Sequence, residues 1–299
     1  MNRAAMTRLA GLELGGTNTI VVLGDGTQIA DRIRFETRDA GSTLERVREQ
    51  LDIWNEEAPI EALGIASFGP VEVRPQAKFY GQVLSTPKPG WSGADLVGAL
   101  ASAIDGPIAI HTDVTAAALA EGRWGAARDC ADHVYVTVGT GIGVGIIVRG
   151  EPVVGQLHPE AGHMRVPRSQ GDGFAGTCPF HGDCLEGLAA GPAIEGRSGL
   201  AGKEVSDDHP LWPFVIDPLA EAAANLFLTL ASERIVFGGG VINARPWLVD
   251  RIAGRCAAKL DGYLPYIEDR ASIFAAELKD DAGPRGALLL AEEALGRGG

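Results

Sequence analysis

The sequence has no uninterrupted apolar run near the about eighteen residues that a membrane-spanning helix needs, so an α-helical membrane protein is not expected. It is also short of positive charge. Lys and Arg number 26 against 39 Asp and Glu, a formal net charge of -13, whereas nucleic acids and anionic lipid surfaces reward clustered cations. Neither a nucleic acid nor a membrane is expected as a partner. Cysteine is scarce. Of the four, Cys130 and Cys256 stand isolated, as plain thiols of a reducing compartment would. The opening MNRAAMTRLAG lacks the apolar core of a signal peptide, and the chain contains no low-complexity linker. A cytoplasmic protein is the expectation.

What is present suffices for a sizeable core: 45% of the residues are hydrophobic and 22% charged, over a length that suggests about two domains. LAGLELGGTNTIVVLGDGTQIADRIRFE reads as strand, tight turn, strand and a further strand. VYVTVGTGIGVGIIVRGEPV repeats the plan. Laid without gaps over Val136 to Gly150, Leu12 to Gly26 matches apolar with apolar at both ends, Gly15 with Gly139 and Gly26 with Gly150. Two related halves are predicted.

Between the hairpins, Leu44, Val47, Leu51 and Trp54 form one helical stripe in Ser42 to Glu56. IEALGIASFGPV reads as a buried strand entering a Gly-Pro loop, Ala94 to Ile104 as a helix, and PIAIHTD as a strand whose end meets a helix from Asp113. Helices follow over LEGLAAGPAIEGRS and Pro218 to Ser232. The strand RIVFGGGVI, a helix from Pro246 to Leu260, a strand at Ala271 to Ala275 and a helix over GPRGALLLAEEAL close the chain. The alternation argues for an α/β fold with ligands at strand C-termini. The expected domains are residues 1–113 and 114–299, with the helix at 283–295 returning to the first.

The stretch His158 to Gly187 holds His163, Cys178, His181 and Cys184, the last three spaced C-x-x-H-x-x-C. A structural Cys2His2 zinc ion is the reading. Ordering this loop costs roughly 1 to 2 kcal/mol per residue, and its few large apolar side chains, Met164, Val166, Phe174 and Phe180, offset too little of that at about 1.5 to 3 kcal/mol each. The alternative is a Cys178–Cys184 disulfide or two reduced thiols. Glu160 and Glu186 bracket the four proposed ligands, and an ionised carboxylate can accept two hydrogen bonds from neighbouring hydroxyls, as a sugar offers. His133, His158 and His209 have no partner spacing, and surface or capping roles are expected of them.

Gly15, Gly16 and Thr17, and Gly139, Thr140, Gly141 and Gly143, form turns without bulky side chains. Singly, each is read as a tight turn. As a matched pair, with Gly238, Gly239 and Gly240 as a third backbone approach, they suit the phosphates of a nucleotide. Asp113 reads either as a helix N-cap or as a general base that deprotonates a hydroxyl attacking the terminal phosphate. Glu13 reads either as a solvated edge residue or as an acid near phosphate-bound magnesium.

Taken together, ELGGTNT, SFGPV, TPKPGW, TDVTAAALAEGRWG, TVGTGIGVG, HPEAGH, CPFHGDCLEGLAAGPAIE and VFGGGV resemble the ROK family of sugar kinases, and within it the bacterial zinc-containing fructokinases. The resemblance spans about Leu12 to Leu295. It implies a two-domain actin-like, ribonuclease-H-like α/β fold with an inserted zinc loop, ATP and sugar in the cleft, Mg2+ with the ATP, and a homodimer. Carried over by motif, Gly15, Gly16, Thr17, Asn18, Thr140 and Gly141 would contact phosphates, and Gly239 and Gly240 would lie near adenosine. Asp113 would be the base. Gly69, Thr112, Asp113, Glu160, His163 and Glu186 would line the sugar pocket, while His163, Cys178, His181 and Cys184 would hold zinc.

The sequence departs from the family pattern at Thr115 (commonly Asn), His111 (often an acid in fructokinases), Asn18 (frequently Lys) and Glu13 (usually Asp). The base and the zinc ligands are retained. The expected reaction is therefore phosphoryl transfer from ATP to a hexose, with fructose ahead of glucose, mannose and N-acetylmannosamine. A sugar-sensing regulator of the same family would need a helix-turn-helix domain ahead of Gly15. A zinc hydrolase would need an open coordination position, which four protein ligands close.

Overall fold

The computed structural model describes residues 7–264 and 272–297. From the N-terminus, β1 (Leu9–Leu14), β2 (Asn18–Gly24) and β3 (Ile29–Glu36) form an antiparallel meander. Then come α1 (Ala40–Glu57), β4 (Ala62–Ser67), α2 (Leu96–Leu100), β5 (Ile108–Thr112) and α3 (Asp113–Trp124). Because β4 pairs in parallel with both β1 and β5, the first sheet runs in the order β3-β2-β1-β4-β5.

The second sheet opens with β6 (His133–Val138), β7 (Ile142–Val148) and the short β8 (Glu151–Pro152). After a long loop the chain forms α4 (Leu185–Ala189), α5 (Gly191–Ser198) and α6 (Trp212–Leu230), then β9 (Arg234–Gly238), α7 (Gly240–Ala244), α8 (Trp247–Leu260), β10 (Ile273–Ala275) and α9 (Ala282–Arg297). The strand order here is β10-β9-β6-β7-β8, with β6 parallel to β9 and β9 parallel to β10. Read from the other edge, this is the first sheet again. The hairpins β1–β2 and β6–β7 start, turn and end at one constant sequence offset, so the ungapped match in the sequence is a match of strands.

The chain divides into two compact units. One comprises residues up to Ala120, Val153–His158 and those from Asp280 on; the other comprises Glu121–Pro152 and Pro159–Lys279. In the first unit, the Asp39 carboxylate accepts from the N–H of Ser42 at 3.0 Å and starts α1, whose stripe of Leu44, Val47, Leu51 and Trp54 is buried with Leu12, Leu14, Leu63 and Ile65 of the sheet. The opposite face takes α9. Gly64 makes that approach possible, since a Cβ there would lie 1.9 Å from the carbonyl oxygen of Ala287.

Several helix boundaries differ from the sequence expectation. Ala94 to Ile104 yields α2 followed by a 3-10 turn at Ala101–Ala103. LEGLAAGPAIEGRS is two helices, because Ala190 is extended (φ -72°, ψ 171°) and Pro192 sits in the first turn of α5. The helix expected from Pro218 begins at Trp212 instead: Trp212, Val215, Ile216 and Leu219 continue the buried stripe through the proline. By length and composition α6 could cross a membrane, but more than half of it is buried inside the protein. It is a core helix packed on α4 and α8, and its acids Asp217 and Glu221 meet Lys259 of α8 at 3.3 and 2.7 Å. The last strand occupies Ile273–Ala275; Ala271, where the sequence predicts its start, lies outside the described residues.

Candidate functional site

In the first unit β1, β4 and β5 end side by side, Leu14 paired with Ser67 and Ser67 with Thr112. This strand edge carries the Gly15–Thr17 turn after β1, Gly69 with its cis peptide bond to Pro70 after β4, and Asp113 after β5. The capping role considered for Asp113 falls to its neighbour. The Thr112 hydroxyl accepts the N–H of Thr115 at 3.2 Å and donates to the Thr115 hydroxyl at 2.7 Å, so Thr112 and Thr115 close the helix start between them. Asp113 is the first residue of α3, accepts the N–H of Val114 at 2.8 Å, and is raised by burial from its ordinary 3.8 to about 6.

Glu13 is raised from 4.5 to about 7, first by burial and then by the charge of Asp113, with Asp280 adding to the effect and Arg32 and Arg34 opposing it. It is therefore not a solvated edge residue. Three carboxyl groups, from β1, from the start of α3 and from the turn before α9, share one electrostatic neighbourhood. Such a group lowers its energy by sharing protons or a divalent cation. Asp280 gives no signal in the sequence, where KDD ahead of the closing helix reads as surface acid.

His111 is buried on β5. Its Nδ1 accepts the N–H of Thr112 at 2.9 Å, and burial, reinforced by His158, lowers it to about 3. It stands neutral where the resemblance has an acid. Of the expected surface or capping roles, burial removes the surface one for His158 and His133, and both meet backbone groups: His158 Nε2 accepts the N–H of Val71 at 3.1 Å, and His133 Nδ1 lies 3.2 Å from the carbonyl of Cys130. Backbone groups left over at strand and loop ends supply the partners that sequence spacing did not suggest. His209 accepts the N–H of Leu211 just ahead of α6.

In the second unit, His163, Cys178, His181 and Cys184 come together with all four donor atoms within 4.8 Å of one another. Cys178 Sγ lies 3.6 Å from His163 Nδ1 and 3.7 Å from His181 Nδ1, and Cys184 Sγ lies 3.5 Å from His163 Nδ1. Bond lengths of about 2.3 Å to sulfur and 2.05 Å to nitrogen give a tetrahedral zinc site an S···N edge of about 3.6 Å. The donor set fits that ion in type, number and spacing. Both cysteines are free thiols, which excludes the disulfide alternative. Burial pushes the Cys184 thiol up to about 11, so binding a cation there releases a proton.

Glu186, in the first turn of α4, accepts the N–H of Ile142 at 3.0 Å, and its Oε1 is 4.0 Å from His163 Nδ1. It lies against the second glycine turn so closely that a Cβ on Gly141 would be 2.6 Å from Oε2. Thr140 stays exposed there, and Gly139 is tied to Gly191 at the start of α5. Glu160 is exposed, and its carbonyl accepts the N–H of His163. Since β6 and β9 are paired at Thr137 and Gly238, Gly239 and Gly240 follow at the same edge as Thr140.

The loop has braces besides the cluster. Asp183 pairs with Arg165 and with Arg168, whose Nη2 is 3.0 Å away. Asp172 and Arg197 form a bidentate pair at 2.8 and 2.8 Å, with the guanidinium 4.4 Å from the Phe174 ring centroid. Sequence spacing does not reveal pairs that close only across folded turns.

The twinned sheets, with glycine turns at the ends of their parallel strands, define the duplicated actin-like α/β class. The ROK family model matches residues 9–294, and the chain belongs to the ROK family. A fructokinase of Pediococcus pentosaceus is 41% identical over 290 residues, covering 96% of this chain and 98% of that one. A glucokinase of Thermotoga maritima is 27% identical over 97% and 98%. Among solved structures, a ROK hexokinase from Thermus thermophilus aligns with a TM-score of 0.80 at 26% identity, covering 97% of this chain and 99% of the other.

Proposed function

We propose that the protein is an ATP-dependent fructokinase that transfers the γ-phosphoryl group to O6 of fructose, forming fructose 6-phosphate. The observation that carries the substrate is the 41% identity with a fructokinase along nearly the whole of both chains, against 27% with a glucokinase. The site chemistry is compatible with the reaction. Asp113, held near 6 at the end of β5, is largely ionised at neutral pH yet basic enough to take the proton of the attacking hydroxyl. Glu13 beside it is suited to the Mg2+ that accompanies ATP, which would draw the carboxyl into its ionised form.

Gly15, Gly16, Thr17 and Asn18, and Thr140 and Gly141, are the proposed phosphate contacts, with Gly239 and Gly240 toward adenosine. Thr112, Gly69, Glu160, His163 and Glu186 are assigned to the sugar. His163 fits two duties. Its Nδ1 faces both sulfurs, so the opposite ring nitrogen remains for a hydroxyl. Bound zinc supplies charge and cross-linking to the loop; His163, Cys178, His181 and Cys184 would hold it, and four protein ligands leave no position for a catalytic water. A homodimer is the proposed assembly, checked by light scattering.

The test is ADP release with Mg-ATP and a panel of fructose, glucose, mannose and N-acetylmannosamine. Fructose should give the highest kcat/KM. A different preferred hexose would reassign the substrate, and no hexose-dependent release at all would overturn the kinase reading.

A further inference from the structure

The turn that follows β1 is held in an unusual way: every carbonyl in it is already engaged. Gly15 O accepts the Thr37 hydroxyl at 2.9 Å, Thr17 O accepts the Thr37 N–H at 2.9 Å, and Asn18 O accepts the N–H of Gly15 at 3.0 Å. The remaining carbonyl, Gly16 O, accepts the ammonium of Lys88. By contrast, the N–H groups of Gly16 and Thr17 take part in no hydrogen bond among the described residues, and both residues are exposed. A turn whose oxygens are drawn back and whose N–H groups are left over is polarised toward an anion.

Lys88 reaches this turn from a loop that is built to present it. Trp91 is fully buried, donates its indole N–H to the carbonyl of Arg38 at 2.7 Å, and meets Phe68 edge-on at 5.0 Å between centroids. Ser92 closes the loop on Thr86 in both directions, accepting its N–H at 3.1 Å and donating to its carbonyl at 3.2 Å. The Lys88 ammonium lies 5.6 Å from the Phe68 ring centroid, and the residue is half-buried rather than extended into water. A lysine serving solubility alone would keep its rotamer freedom. This one is anchored at both ends, beside the spare N–H groups of the β1–β2 turn.

We infer that Lys88 is a positioning residue of the nucleotide site: it holds the Gly16 carbonyl away from incoming phosphate and adds a cation beside the N–H groups of Gly16 and Thr17. Thr37 performs the first of these tasks for the flanking carbonyls without supplying charge. The assignment rests on the kinase reading above, and it predicts an effect on the nucleotide that is separable from the sugar.

The experiment compares Lys88→Met and Lys88→Arg in the full chain, with Lys78→Met, on Phe79, as a surface control. Mg-ATP and fructose are varied separately, and the thermal shift caused by Mg-AMPPNP is measured without sugar. Loss of one charge-assisted contact should lower kcat/KM for Mg-ATP by about tenfold or more, leave KM for fructose unchanged, and clearly reduce the AMPPNP shift; Lys88→Arg should recover much of both. A Met variant that merely melts earlier, with kcat/KM for Mg-ATP and the AMPPNP shift intact, would reduce Lys88 to a structural brace and overturn the inference. So would a rise in KM for fructose alone. If the wild type releases ADP with none of the hexoses, the kinase reading fails, while the AMPPNP shift still decides the role of Lys88.

Discussion

Replacing Asp113 with Asn removes a charge while keeping the side chain's size, and its consequences for rate and for stability have opposite signs. Burial raises the carboxyl from 3.8 to about 6, so the fold penalises its ionised form by about 3 kcal/mol. For an acid with a raised folded value, this contribution favours the folded state below 3.8, declines as pH rises through about 6, and is absent above it. The Asn variant has no such decline. It should match the wild type near pH 4 and exceed it by about 1 to 3 kcal/mol at pH 8 in urea unfolding, the lower figure allowing for the exposure that Asp113 retains. Its kcat should fall by about 10² to 10⁴, the usual worth of a positioned base. In the wild type, kcat/KM should drop about tenfold per pH unit below about 6, and that limb should vanish from the residual activity of the variant. Glu13 titrates above Asp113, near 7, partly because of its charge, so the Asn variant should also lower Glu13. A variant with kcat within about tenfold of wild type, or one that keeps the acid limb, would refute the assignment of Asp113 as base.

Cys178→Ser should cost the protein its zinc, read as a fall from one metal per chain by elemental analysis, and should leave the His158 to Gly187 loop open to proteolysis; a metal-free but fully ordered wild type would contradict the cluster's role. Glu186→Gln keeps the acceptor for Ile142 but not its charge, and should raise KM for fructose by about tenfold or more while zinc stays bound. Gly64→Val places side-chain carbon where the Ala287 carbonyl already sits, and should destabilise the fold by at least about 2 to 3 kcal/mol in urea titration, with loss of the α9 contact as the cause.

Periodicity and turn chemistry made most of the fold legible. The stripe of Leu44, Val47, Leu51 and Trp54 is the buried face of α1, and the ungapped overlay of the two hairpins is a duplication of strands. What went unread depended on contacts distant in sequence. The start of α6 ahead of Pro218 was hidden because a proline usually begins a helix, whereas here the buried stripe runs through it. At the candidate site, Cys178, His181 and Cys184 were visible from local spacing, and folding brings His163 to them. Asp280 and Lys88 were not visible: each is an ordinary charged residue in its own segment, and only folding brings the one near Glu13 and the other to Gly16. Composition also leaves the His158 to Gly187 loop with too few partners, because it does not imply the Asp172–Arg197 and Asp183–Arg168 pairs that brace it alongside the cluster.

The duplicated hairpin gives the chain an internal control. The strands are equivalent, but the turns close differently: the N–H of Gly15 donates to the carbonyl of Asn18 and that of Gly139 to the carbonyl of Gly141. In the first copy the N–H groups of Gly16 and Thr17 take part in no hydrogen bond among the described residues; in the second, the N–H of Ile142, the counterpart of Asn18, donates to the protein's own carboxylate, Glu186. The second copy thus has a carboxylate of the protein beside its turn. Removing the charge of Glu186, or introducing a carboxylate near Gly16, would measure in one molecule what a carboxylate beside such a turn does to nucleotide affinity.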